Sequence, residues 1–188
     1  YDTLMRAGIR PDLFVGDMDS LTGEPDTMVE RHPVRKDDTD TALAYRAGAA
    51  KGYRHFVLLA CVGGREAHTY ANLSLLAGAR REGARLLLVG EQETSFVIEN
   101  ESVTLTRPAG CHLSVFAFGG EAREVTLRAL SYPAEHLTLT PDVPLGVSNA
   151  FCEAPATVSV GEGRLLLMCE RASREIPTDI FDGFREGT

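Results

Sequence analysis

The pattern of apolar residues changes near residue 91, and that change decides what this chain can fold into. Before it, short apolar runs alternate with segments long enough for helices. LFVG at 13–16 is followed by a helical stretch through TALAYRAGAAK, then HFVLLACV at 55–62, a second helical stretch through HTYANLSLLAGARREG, and RLLLVG at 85–90. Strand, helix, strand, helix, strand predicts an α/β domain with a mostly parallel sheet in a three-layer, Rossmann-like arrangement. HFVLLACV is continuously apolar and is expected to be buried on both faces. After Glu91 the runs turn short and β-like: SFVIEN, SVTLTR, LSVFAF, REVTLRAL, LTLT, ATVSVGEG and RLLLMCE, with Gly and Pro between them. That spacing predicts an all-β sandwich. The expected organisation is an α/β domain over 1–92, a β-sandwich over 93–176, and a tail over 177–188 that is loose or docked locally.

Two acidic clusters sit in the first part, PDLFVGDMDS at 11–20 and KDDTDTALA at 36–44. They gather Asp17, Asp19, Asp37, Asp38 and Asp40 into a short stretch of chain. Carboxylates crowded in this way repel one another unless a cation sits among them, and hard oxygen donors suit Mg²⁺ or Ca²⁺ rather than zinc. Mg²⁺ held by one or two carboxylates commonly takes its other ligands from phosphates, which points to phosphoryl or pyrophosphoryl transfer. In extended backbone Asp17 and Asp19 face the same way, at the C-terminal end of a strand, where open α/β sheets bind ligands. Thr39 or Asp38 is the expected helix N-cap and Gly52 the stop. Asp37 and Asp40 then lie near a helix N-terminus, whose dipole favours negative charge. Taken alone, GDMDS reads equally well as an acidic turn; the second cluster favours the site.

Gly63-Gly64-Arg65 follows an apolar run and opens a helix. Glycines let backbone N–H groups approach an anion at a helix N-terminus, and Arg65 can grip a phosphate with two parallel bonds. In isolation the same three residues make an ordinary strand-to-helix turn. His68 and Asn72 lie four apart and share a helix face. GVSNAF at 146–151 is polar and turn-like inside the β region; Ser148 and Asn149 there either orient a small polar ligand or bond locally within a hairpin turn.

Composition narrows the partners. A net charge of −8 argues against a broad nucleic-acid or anionic-membrane surface, and no apolar stretch is long enough to span a bilayer. Of the basic residues only Lys36 and Lys51 are lysines, and arginine suits bidentate phosphate recognition. Cys61, Cys111, Cys152 and Cys169 show no metal-binding spacing, so free thiols in a reducing cytoplasm are expected. The opening DTLMRAGIRPD reads as a short helix and turn before a strand, so the numbered chain is expected to begin inside a domain.

Taken in order, these segments resemble the thiamine pyrophosphokinases. The matching residues are GIRPDLFVGDMDS, KDDTD as the family's K-D-x-T-D, GGRxxH with Asn72, and the Ser148-Asn149 pair, from Leu4 to about Met168. The resemblance implies an ATP-binding α/β domain, a thiamine-binding β-sandwich, and a homodimer with thiamine near its interface. It implies transfer of a pyrophosphoryl group from ATP to the thiamine hydroxyl, leaving AMP. By match, Asp17, Asp19, Asp37 and Asp40 are the catalytic acids, with Asp17, Asp19 and Asp37 on Mg²⁺. Asp17, Ser20, Lys36, Asp40, Gly64 and Arg65 are implied on ATP and its phosphates, and Ser148 and Asn149 on thiamine. Such chemistry depends mainly on positioning and charge stabilisation.

The chain departs from the family pattern at Ala67, where relatives usually carry Asp between GGR and His. Glu66 is adjacent, but one residue at a helix start turns a side chain by about 100°. The family's first strand and its Asp-Gly-Gly loop are expected upstream of Tyr1. The chain has no Trp, so stacking on thiamine would fall to Phe or Tyr. Two other readings remain open at this stage: a related pyrophosphokinase for another hydroxymethyl heterocycle such as a pterin, and a non-catalytic thiamine- or nucleotide-binding relative.

Overall fold

The computed structural model describes residues 1–17, 24–32 and 38–186, and it divides into a unit of Tyr1–Tyr53 and a larger one from Arg54 onward. In the first unit a short helix α1 (Asp2–Arg6) leads to strand β1 (Leu13–Gly16), which pairs in parallel with β2 (Met28–Arg31). The ladder runs one bond further, His32 N–H donating to Gly16 O at 3.0 Å. Helix α2 (Asp40–Ala50) starts where a side chain can satisfy a free N–H: the Thr39 hydroxyl accepts from Ala42 N–H at 3.2 Å. Its Ala42 and Tyr45 are buried, and the chain leaves the helix at Gly52 with φ +93°. The sequence expectations of a Thr39 cap and a Gly52 stop are met.

The second unit begins with β3 (His55–Leu59), α3 (Glu66–Arg81), β4 (Arg85–Val89) and β5 (Glu93–Glu99). There follow β6 (Glu101–Leu105), β7 (His112–Ala117), β8 (Ala122–Arg128), β9 (Ala134–Leu139), β10 (Asn149–Ala150), β11 (Ala156–Ser159) and β12 (Arg164–Glu170). A short helix α4 (Ile180–Gly183) and strand β13 (Phe184–Glu186) complete it. One six-stranded sheet runs β10-β7-β12-β5-β4-β3, and a five-stranded sheet runs β13-β6-β11-β8-β9. Each of the seven β-like runs read after Glu91 forms a strand.

The mostly parallel, Rossmann-like sheet expected for the first part is not found among the described residues. Parallel pairing is confined to β1–β2 and β3–β4, which lie in different sheets. The physical reason lies at residues 90–92. Helix α3 crosses over between β3 and β4 and so makes that pair parallel. The chain then turns tightly, Gly90 N–H donating to Glu93 O at 2.8 Å, and β5 returns antiparallel beside β4. The sheet therefore continues straight through residue 92 into β5, β12 and β7. HFVLLACV also departs from expectation: β3 is the edge strand of its sheet and only half buried, with Leu59 54% exposed.

Period-two alternation builds the core. Leu87, Val89, Phe96, Ile98, Leu165 and Leu167 face Val103, Leu105, Val125, Leu127 and Val158 of the second sheet. The alternate residues Leu86, Leu88, Val97 and Leu166 are buried as well, but outside this cluster, on the face where α3 packs against β4 and β5. Burying each such side chain is worth roughly 1.5–3 kcal/mol. The C-terminal segment belongs to the same core: β13 pairs with β6, and Ile180 and Phe184 are buried. Among the cysteines, all free, only Cys169 is fully buried.

A buried ion cluster joins the layers. Glu101, 2% exposed at the start of β6, accepts from Arg80 Nε of α3 and an Arg85 guanidinium N–H of β4, both at 2.7 Å, and from Glu99 N–H at 3.3 Å. Arg85 also lies 4.2 Å over the Phe184 ring. Removing the carboxylate leaves two arginines without their partner, so Glu101→Ala is expected to lower stability by about 3–5 kcal/mol in urea unfolding; a loss under about 1 kcal/mol would contradict this account. A second expectation concerns Gly146, whose carbonyl accepts from Val115 N–H at 2.9 Å. A methyl group there would lie 1.9 Å from Val115 O, a backbone atom. Gly146→Ala is expected to lower the thermal midpoint and to disturb the adjoining Ser148 segment, visible as loss of its amide exchange protection.

Candidate active site

Two of the expected carboxylates, Asp17 and Asp40, are described in the first unit. Asp17 follows directly on Gly16 at the end of β1, and Asp40 opens α2. A methyl group placed on Gly16 would lie 4.0 Å from Asp40 Oδ1, so the helix N-terminus brings Asp40 to the strand end that carries Asp17. The dipole of α2 favours negative charge at this point. Asp38 pairs with Arg46, two turns along the same helix, which directs that carboxylate to α2 itself. Asp19, Ser20, Lys36 and Asp37 lie outside the described residues. Among the described residues no three His, Cys, Asp or Glu side chains form a metal cluster.

The glycine loop lies in the second unit. Gly63 has φ +85°, a left-handed conformation open to glycine at no steric cost, and space around Gly64 is open. Arg65 is the N-cap of α3, and no side chain caps the helix there. Its first-turn N–H groups therefore face an uncapped end, which suits an anion. Arg65 bonds the His68 ring one turn along, so the two act together. Asn72 is buried and donates to Cys61 O at 2.8 Å, fastening the helix to the chain just before the loop. Its role is to hold the loop in place. Ala67 and Glu66 occupy the exposed first turn.

Ser148 and Asn149, adjacent in sequence, do different things. Asn149 is buried and spans to Tyr132, accepting from its N–H at 2.9 Å and donating to its carbonyl at 2.8 Å, while also accepting from Ala150 N–H at 2.9 Å. Ser148 is exposed, held at φ +57°, with its N–H on Ser114 Oγ at 3.1 Å. A non-glycine residue in that region is strained and is kept there by its surroundings, here the Gly146 contact and the Asn149 bonds. Ser148 borders a cavity of about 520 Å³ together with Ser114, His112 and Gln92.

The same cavity is bordered by Glu91, Glu93 and Glu170, and by Arg171. Glu170 accepts from His112 N–H at 2.8 Å and pairs with the ring Nδ1 at 2.9 Å. The backbone bond first, and the ring second, hold its carboxyl below the usual carboxylate range. The cavity is thus an acidic pocket suited to a cation. Sequence reasoning missed all of these lining residues except Ser148. They come from β5, β7, β12 and the 90–92 turn, and only the sheet order brings them together.

Two family models match in succession along the chain. The family model for the thiamin pyrophosphokinase catalytic domain matches residues 1–88, and that for the thiamin pyrophosphokinase vitamin B1 binding domain matches 98–165. The chain is 25% identical over 174 residues to a thiamine pyrophosphokinase of Bacillus subtilis, covering 88% of this chain and 81% of that protein. It is similar in structure to thiamine pyrophosphokinase from Bacillus subtilis, with TM-score 0.83 at 24% identity over 91% of this chain and 84% of the other. A similar likeness holds for thiamin pyrophosphokinase from Geobacillus thermodenitrificans, with TM-score 0.78 at 26% identity over 93% and 84%. With both domains matched in succession along one chain, and the fold shared throughout, the chain belongs to the thiamin pyrophosphokinase family and is an enzyme.

Proposed function

We propose that the chain transfers a pyrophosphoryl group from ATP to the hydroxyl of thiamine, giving thiamine diphosphate and AMP. The matches to a catalytic domain and a vitamin B1 binding domain, in that order, carry this reading. Residues 1–92 are read as the part that handles ATP and 93–176 as the part that handles thiamine, with Ile180 and Phe184 of the tail buried in the core of the latter. Asp17, with Asp19 and Asp37, would hold Mg²⁺; hard carboxylate oxygens at a strand end fit that ion, which when bound offsets charge on the polyphosphate. Asp40 and Ser20 orient the phosphates, while Lys36, Arg65 and the N–H groups at Gly64 neutralise them. Stabilising charge as it develops is the main catalytic work in such a transfer.

The acceptor side rests on the acidic cavity. Thiamine carries a positive ring, and Glu91, Glu93 and Glu170 give that cation a complementary wall. Ser148 is read as the direct contact and Asn149 as the residue that fixes it. A homodimer is supported by exposed Leu145, Val147 and Tyr132, each more than half exposed, beside an apolar groove next to the Ser148 segment. Free cysteines fit a cytoplasmic location.

The test is AMP release by the full chain with ATP and Mg²⁺, with thiamine or a hydroxymethyl pterin as acceptor. AMP is expected with thiamine alone, and its absence with all three components at saturation would overturn the reading. Asp17→Asn and Asp40→Asn are each expected to lower kcat by about 100-fold or more. For Glu170→Gln the expectation is a KM for thiamine raised by about two- to fivefold with the KM for ATP unchanged, the range for an exposed charge. Because its pKa is lowered, Glu170 keeps its charge to lower pH than an ordinary carboxylate does. Its contribution to thiamine KM is therefore expected to be flat from neutral into weakly acidic solution, checked by comparing wild type and variant across that range.

A further inference from the structure

Two buried side-chain atoms among the described residues have no hydrogen-bond partner, Thr94 Oγ1 and Arg171 Nε. Both residues line one cavity of about 140 Å³ at the end of the sandwich, together with Thr106, Arg107, Cys169 and Ser173. Thr94, 1% exposed, is the second residue of β5 and stands in register with Cys169 of β12, two residues before Arg171. An orphaned buried hydroxyl costs about 1–3 kcal/mol, so its presence here calls for a partner.

The charge balance says what kind. The Arg171 guanidinium donates to three backbone carbonyls, Gly90 O at 2.8 Å, Arg174 O at 2.6 Å and Glu175 O at 3.1 Å, and among the described residues no carboxylate pairs with it. Carbonyls satisfy N–H groups but do not neutralise a cation. The acidic residues around the cavity are engaged elsewhere or face solvent. Asp179 chelates Arg107 at 2.7 and 3.4 Å, Glu170 pairs with His112, and Glu175 is exposed. Burial pushes the Cys169 thiol up to about 11, so it is neutral and adds no negative charge. The cavity offers a cation, an unfilled N–H and an unfilled hydroxyl.

We propose that this cavity binds a small oxyanion of the phosphate or sulfate class, held by Arg171 Nε and Thr94 Oγ1. With its Nη atoms on carbonyls, the guanidinium offers Nε–H as a single charged donor to an oxyanion, and the volume is several times the ~30 Å³ that one water occupies in the liquid. Arg171 also braces the 90–92 turn, donating from its backbone N–H to Gln92 O at 2.9 Å and from its side chain to Gly90 O. That turn forms one wall of the Ser148 cavity. An anion that fixes Arg171 thus steadies the wall without touching it.

Thermal unfolding of the full chain in inorganic phosphate or in sulfate, against chloride at equal ionic strength, tests the proposal. A saturable rise in midpoint is expected with either anion, since a ligand bound only by the folded state stabilises it. Thr94→Val is expected to fold normally, because the lost hydroxyl has no protein partner, and to weaken the anion by about tenfold or more. Arg171→Met is expected to abolish the response, and should it fail to fold, Thr94→Val alone decides. Arg65→Ala separates this cavity from the glycine loop and is expected to leave the response intact. Absence of any saturable response, which would leave only water in the cavity, overturns the proposal. So does a response whose half-saturating anion concentration is unchanged by Thr94→Val, or one that disappears with Arg65→Ala.

Discussion

The carboxylate of Glu101 is the point on which the larger unit turns. A charge so deeply buried is tolerated only with partners of opposite sign and full hydrogen bonding. Here the partners are Arg80 at the end of α3 and Arg85 at the start of β4, so one side chain of the second sheet ties down both the helix and the strand that follows it. Arg85 in turn lies on Phe184, bringing the C-terminal strand into the same cluster. Near the middle of α3, Asn72 fastens the helix to Cys61 O. A helix held at two places keeps its first turn, and the glycine loop before it, at a defined position. Catalysis by positioning needs that rigidity in the parts far from the reacting atoms.

The polar work is divided among neighbours in the same way. Asn149 spends its hydrogen bonds on Tyr132 so that Ser148, one residue earlier, can stand in a left-handed conformation at the cavity edge. Gly146, two residues before that, permits the close approach to β7 that fixes the segment. Adjacent residues that look alike as polar turn formers thus separate into a support and a contact. In the acidic wall, the backbone N–H and ring of His112 both favour the ionised form of Glu170.

What could be read in the sequence were the features with short-range causes. The Thr39 cap, the Gly52 stop, the glycine turn before α3 and the seven β-like runs from SFVIEN to RLLLMCE follow from periodicity and turn chemistry within a few residues. The mostly parallel sheet was misjudged because one tight turn at 90–92 decides whether β5 continues the sheet or starts another, and its residues Glu-Gln are not strong turn formers. Strand β10 has two residues and β13 three, too few for a period to emerge. The clustering of Arg80, Arg85, Glu101 and Phe184 depends on sheet order, as does the assembly of Glu91, His112, Ser148 and Glu170 around one cavity. Sequence spacing carries no trace of either.

The pairing of β6 with β13 has a bearing on how the chain is made. β6 is complete by Leu105, yet the strand that covers its outer edge is translated about eighty residues later, a separation typical of slow, non-local closure. Until then the edge presents unpaired N–H and C=O groups, and the pocket left for Ile180 and Phe184 stays open. During synthesis this half-built sandwich is a template for the wrong strand, whether from its own chain or from a neighbour on the same polysome. The buried Glu101 limits that hazard: at the head of the open edge it sets a charge that an apolar strand would have to bury without Arg80 and Arg85 correctly placed.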